Sequence, residues 1–129
     1  MRNMMESVTE PGGTAIKAQA EGFRVGGKTG TAHKLVGKGY ANKYRAYFVG
    51  LAPIGAPRIV VAVMVDEPTG GSHYGGDVAA PVFSTIVSET LHTLNVLPDN
   101  KVKQMVLQDK APLELQTTNA QAQHVVLKR

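Results

Sequence analysis

Seven consecutive apolar residues, Ile-Val-Val-Ala-Val-Met-Val at 59–65, include four valines. So short a β-branched run predicts a buried strand, entered at Arg58. A second strand is predicted at 44–52 (YRAYFVGLA), which is rich in aromatic and β-branched residues. Only five residues, PIGAP at 53–57, separate the two. A parallel pair needs a crossover of a dozen residues or more, so the pair is antiparallel. Residues 23–34 are extended in character but rich in glycine and make a third strand. A loop at 35–43 (LVGKGYANK) is expected to join it to the second. The pattern thus predicts a three-stranded antiparallel meander.

Two helices flank these strands. Met4, Met5 and Val8 lie at helical spacing, so residues 2–9 read as the end of a helix stopped by Glu10-Pro-Gly-Gly. Phe83, Ile86, Val87, Leu91 and Leu94 form one apolar stripe. That stripe predicts a helix capped at Asp77, with Pro81 in its first turn, ending before Leu97-Pro98. Its apolar face is expected to pack on the sheet, giving an α+β fold. Residues 99–129 are rich in Gln, Asn and Lys, carry no aromatic residue, and read as a polar, disordered tail.

Composition narrows the functional classes. The 129 residues suit one domain or a piece of one. The net charge of +4 is spread along the chain without aromatic interleaving, which argues against nucleic-acid binding. There is no cysteine, so disulfides, Cys-ligated zinc and thiol catalysis are excluded. No apolar run reaches the ~18 residues of a membrane span. Residues 1–20 do not resemble a signal peptide. His33, His73, His92 and His124 lack ligand spacing and read as surface residues. Asp66 and Glu67 are adjacent and read as a strand-end turn. Lys101, Lys103 and Lys110 read as solvated tail residues.

The stretch 25–34, VGGKTGTAHK, carries the candidate chemistry. One reading is a phosphate cradle. Residues 22–29 satisfy G-x-x-x-x-G-K-[ST], and the apolar strand ending at Asp66 has the form of a Walker B strand. A phosphate loop, however, needs a buried strand before it and a helix after it. Here the upstream segment is polar, and Gly30, Gly37 and Gly39 leave no room for a helix. The other reading is a carboxylate cradle. On a strand, Thr29 and Thr31 share a face, and Gly30 between them lets another backbone approach. With Lys28, two hydroxyls and a cation would converge on one region. Such a strand can hold a peptide carboxylate and offer a backbone N–H to an oxyanion.

Five segments in order then carry a resemblance: GGTA at 12–15, VGGKTGTAHK at 25–34, YFVGLAP at 47–53, VDEP at 65–68 and YGGDVAAPVF at 74–83. Together they resemble the C-terminal end of a class B penicillin-binding transpeptidase of the division-specific, FtsI type, over roughly residues 1–97. The resemblance implies a penicillin-binding/β-lactamase-like transpeptidase domain, of which residues 1–98 would be the C-terminal part. It implies a peptidoglycan D,D-transpeptidase that acts on D-Ala-D-Ala stem peptides without a cofactor or metal and is inhibited by β-lactams. It further implies work at the periplasmic side of the inner membrane among divisome proteins. Lys28 would polarise the site, Thr29 and Thr31 would hold the substrate carboxylate, and the N–H of Thr31 would serve the oxyanion. Tyr74 would stand in a loop that walls the site, or simply cover the start of the helix. Two further strands and other helices, all upstream, complete the sheet in that family.

The family's nucleophile motif S-x-x-K is absent: Ser7, Ser72, Ser84 and Ser88 have no lysine three residues on. S-x-N is absent too, and Tyr40-Ala-Asn42 follows KTG rather than preceding it. No catalytic residue is therefore assigned, and the chain by itself is expected to be inactive. Two alternatives stay beside this reading: a nucleotide-binding protein, and a non-catalytic peptide-binding module. An apolar face at Val60, Ala62 and Met64, or at the opposite set, is expected to lie exposed and to invite aggregation.

Overall fold

The computed structural model describes residues 1–100, of which Met1–Asp99 form one compact unit. The expected tail, with Lys101, Lys103, Lys110 and His124, lies outside the described residues except for Asp99 and Asn100. The elements follow in the order α1 (Arg2–Glu6), a 3₁₀ turn (Ile16–Ala18), β1 (Gly26–Val36), β2 (Gly39–Ala52), β3 (Ile59–Asp66), α2 (Gly75–Val78) and α3 (Ala80–Thr93). The strands form one antiparallel sheet in the order β1-β2-β3, so the meander and the α+β class stand.

Burial decides which side of the sheet meets the helix. Ala46, Phe48, Gly50 and Ala52 of β2 point to α3, with Ile59, Val61, Val63 and Val65 of β3 beside them. Phe48 and Phe83 meet edge to face with ring centroids 4.7 Å apart, and Val87 and Leu91 complete a fully buried centre. Two glycines make room for those rings. Gly27 and Gly50 are register partners, and a Cβ on Gly50 would lie 2.7 Å from the Phe83 ring. Thr9 anchors the N-terminal segment, its buried hydroxyl lying 2.8 Å from the carbonyl oxygen of Val25 and 2.9 Å from that of Glu6.

Several boundaries differ from the pattern-based reading. The expected loop at 35–43 is a hairpin: β1 runs on to Val36, and the turn is only Gly37-Lys38, with Gly37 at φ 62°. This end of the hairpin is exposed on both faces, so no apolar alternation marks it. β1 also starts at Gly26 rather than Phe23, because Phe23 bridges back to Ala20 in a turn. The helical N-terminus ends at Glu6 rather than residue 9.

Asp77 does not cap a helix. It lies inside α2, and its carboxylate accepts from Lys17 Nζ and Ser72 Oγ, each at 2.8 Å. α3 follows after a break at Ala79 and ends where Asn95 turns left-handed at φ 51°, with the Val96 N–H reaching back to the Leu91 carbonyl. Of the predicted stripe, Phe83, Val87 and Leu91 are buried, whereas Ile86 and Leu94 are exposed. On β3 it is Val60, Ala62 and Met64 that face solvent.

Candidate functional site

β1 is an edge strand, and its hydroxyls open into a cavity of about 390 Å3 lined by Thr14, Thr29, Thr31, Tyr74, Gly75, Gly76 and Asp77. That volume lies within the range of small-ligand pockets. Alternation places Thr29 and Thr31 on one face, opposite Phe48 and Ala46 of β2. Thr14, from the loop before the 3₁₀ turn, stands with its hydroxyl 3.3 Å from that of Thr29. The N–H of Gly75 donates to Thr31 Oγ1 at 3.3 Å. The site thus joins three segments distant in sequence.

Gly75 makes this closure possible. A Cβ there would fall on the carbonyl oxygen of Tyr47 and lie 2.7 Å from that of Gly30. The close backbone approach expected at Gly30 therefore occurs at Gly75. Gly30 itself faces Tyr47, whose side chain would be in ordinary contact with an added Cβ at 3.5 Å.

Of the five residues singled out in the sequence, Thr29, Thr31 and Tyr74 come together at the cavity. Lys28 and Gly30 do not line it. Lys28 points to the other face of the sheet, and its Nζ donates to the Thr29 carbonyl at 2.8 Å. The reason is the period of two: on a strand, adjacent residues cannot share a face. Thr14, Gly75, Gly76 and Asp77 also line the cavity. Their segments, GGTA and YGGD, are visible in the sequence, but only the fold brings them to β1.

Rings stack in a row that ends at Tyr74 of the cavity lining. Tyr44 lies between His73, at 3.9 Å and nearly parallel, and His33, at 4.5 Å. Tyr74 adjoins His73 at 4.5 Å, and His33 reaches Tyr40 at 6.3 Å. His92 meets Phe23 edge to face at 5.4 Å. His33 and His92 are exposed, as their spacing suggested, and His73 is half-buried; each also packs against an aromatic ring.

The phosphate reading fails on backbone geometry. The segment after Thr29 continues as β1 with no helix start to receive an anion. Asp66 is held by cations: Lys34 at 2.8 Å and Arg45 at 2.9 Å. Glu67 accepts from Lys34 at 2.7 Å and Lys43 at 2.9 Å. The strand-end turn expected at Asp66 and Glu67 is therefore also an ion cluster.

The Lys34 ammonium, then the Arg45 guanidinium, holds the Asp66 carboxyl below its ordinary pKa, and Lys34 with Lys43 does the same for Glu67. Lys17, helped by Ser72, lowers Asp77. Carboxyls depressed in the folded state bind protons more weakly than the unfolded chain does. Their contribution is therefore full above the ordinary carboxylate range and is lost as pH falls through the depressed values. Carboxyl carbon NMR titration should find Asp66 and Glu67 with low midpoints that rise in Lys34→Met. Unchanged midpoints in that variant would remove Lys34 as the cause.

An edge-strand pocket lined by hydroxyls, in an α+β unit with one helix behind the sheet, defines the class of domain. The chain matches the penicillin binding protein transpeptidase domain over residues 1–88, and it belongs to that family. It is 52% identical over 99 residues to the probable peptidoglycan D,D-transpeptidase PenA of Neisseria gonorrhoeae, covering 76% of this chain and 17% of that protein. It is 48% identical over 98 residues to the peptidoglycan D,D-transpeptidase FtsI of Escherichia coli K12, covering 75% and 17% respectively. Among solved structures it resembles the apo transpeptidase domain of penicillin-binding protein 3 from Burkholderia pseudomallei, with a TM-score of 0.69 and 62% identity, covering 76% of this chain and 30% of that one. The chain therefore spans about a sixth of the length of these curated relatives.

Proposed function

We propose that this chain is the C-terminal segment of a peptidoglycan D,D-transpeptidase domain and supplies its substrate-binding strand. The observation that carries the proposal is the Thr29–Thr31 pair facing a cavity closed by Thr14 and the Gly75 loop. Hydroxyl donors around a small cavity suit the terminal carboxylate of a D-Ala-D-Ala stem peptide, or the carboxylate of a β-lactam. Lys28 would polarise the site from beside the pocket, its ammonium 2.8 Å from the Thr29 carbonyl oxygen. Tyr74 walls the cavity beside His73. The complete enzyme would act at the periplasmic side of the inner membrane with divisome proteins.

This polypeptide by itself carries no S-x-x-K and is catalytically silent. A fluorescent penicillin should leave no covalent label on it, as read by mass spectrometry. Acetyl-D-Ala-D-Ala, and not its L,L isomer, should shift the amide resonances of Thr29, Thr31 and Gly75 reversibly, and Thr31→Val should abolish the shifts. A covalent adduct would refute the inactivity. Equal shifts with both isomers would remove the stereospecific peptide site.

A further inference from the structure

The hydroxyl cavity has an acid in its wall. Among the described residues that line it, only Asp77 carries a formal charge, and that charge is negative. A second carboxylate entering so small a space is repelled unless a cation offsets the first. Lys17, in the 3₁₀ turn three residues after Thr14, supplies that cation. Its Nζ donates to Asp77 Oδ1 at 2.8 Å, while Ser72 Oγ donates to Oδ2 at 2.8 Å. Lys28 is bonded to the Thr29 carbonyl instead. The side chains of Lys17 and Asp77 are 54% and 43% exposed. An ion pair so exposed adds little to folding, so its place beside the cavity matters more than its strength. The seam it spans is tight, because a Cβ on Gly76 would fall on the Thr14 carbonyl oxygen. Lys17 and Asp77 thus meet across the junction that brings Thr14 to α2.

We infer, on the carboxylate reading of the hydroxyl pocket, that Lys17 is a positioning residue of that pocket. It acts through Asp77: by neutralising this acid it lets the cavity accept a second carboxylate. Without Lys17, the Asp77 charge is unpaired and opposes a stem-peptide carboxylate held by Thr29 and Thr31. Ser72 cannot take its place, because a hydroxyl donates a hydrogen bond but brings no net charge. Without Asp77 as well, the repulsion vanishes and the hydroxyls suffice. The Lys17–Asp77 pair therefore sets the charge preference of the pocket, while the threonines make the contacts.

The test is the affinity of the full 129-residue polypeptide for acetyl-D-Ala-D-Ala at low salt, read from the Thr31 and Gly75 amide resonances. Lys17→Met should weaken binding by about fivefold or more. Lys17→Arg, which keeps the charge, should bind like the parent. Lys17→Met combined with Asp77→Asn should recover the parent's affinity, which a merely structural loss at residue 17 would not allow. The defect of Lys17→Met should also shrink in about 1 M salt, where charges are screened within ~3 Å. Suppose the parent binds but Lys17→Met binds equally well, or its defect survives both salt and the loss of Asp77. Lys17 is then no positioning residue, and the carboxylate pocket stands. If the peptide leaves the parent's resonances unmoved, the pocket reading falls and the role of Lys17 falls with it.

Discussion

Phe83→Ala is expected to leave the chain without a cooperative folded state. The ring is fully buried, meets Phe48 edge to face, and fills the space that Gly50 leaves in β2. Removing such a ring costs about 3–5 kcal/mol. An ordinary domain has about 5–15 kcal/mol in total. That loss is a large share of the total for so small a compact unit. Circular dichroism during urea denaturation should show no folded baseline for Phe83→Ala. A transition within about 1 kcal/mol of the parent would mean that the Phe48–Phe83 pair is not the centre of the core.

Gly75→Ala should be among the most damaging single-atom changes near the pocket. The added carbon meets main-chain oxygens of Tyr47 and Gly30, and main chain cannot swing aside as a side-chain tip can. The loop would have to lift from the sheet, breaking the Gly75–Thr31 hydrogen bond and opening the cavity. Overpacking of this kind costs about 1–3 kcal/mol or more. The control is Gly70→Ala, where nothing lies within 4 Å. It should change stability by less than about 0.5 kcal/mol. The measurement is the pair of melting curves together with the Thr31 amide resonance. If Gly75→Ala leaves that resonance in place, the loop does not close the pocket.

Much of this architecture was legible because it follows from period and spacing. β2 and β3 announce themselves through apolar, aromatic and β-branched runs and a short link, and the antiparallel sense follows from the link alone. The far end of the β1–β2 hairpin was hidden because residues such as Lys38, Asn42 and Lys43 are exposed whichever way they point. Asp77 was misread because its carboxylate is committed to Lys17, sixty residues away in sequence. Thr29 and Thr31 were placed together correctly by the two-residue repeat. The same repeat sends Lys28 to the other side, which the grouping of all three into one region overlooked. The glycines of 26–30 read as motif residues, yet Gly27 is held to its size by Phe48 in the core.

The hydroxyl pocket is assembled from residue 14, from residues 29 and 31 of β1, and from residues 74–77, and no two of these segments are neighbours along the chain. It exists only when the hairpin, the 3₁₀ turn and the start of α2 have all come together. Occupancy and folding are therefore one linked equilibrium. A small molecule that bridges Thr14, Thr31 and Gly75 works as a staple. At a hundred times its dissociation constant it would add about 2.7 kcal/mol to the folded state, a large share of what so small a unit possesses.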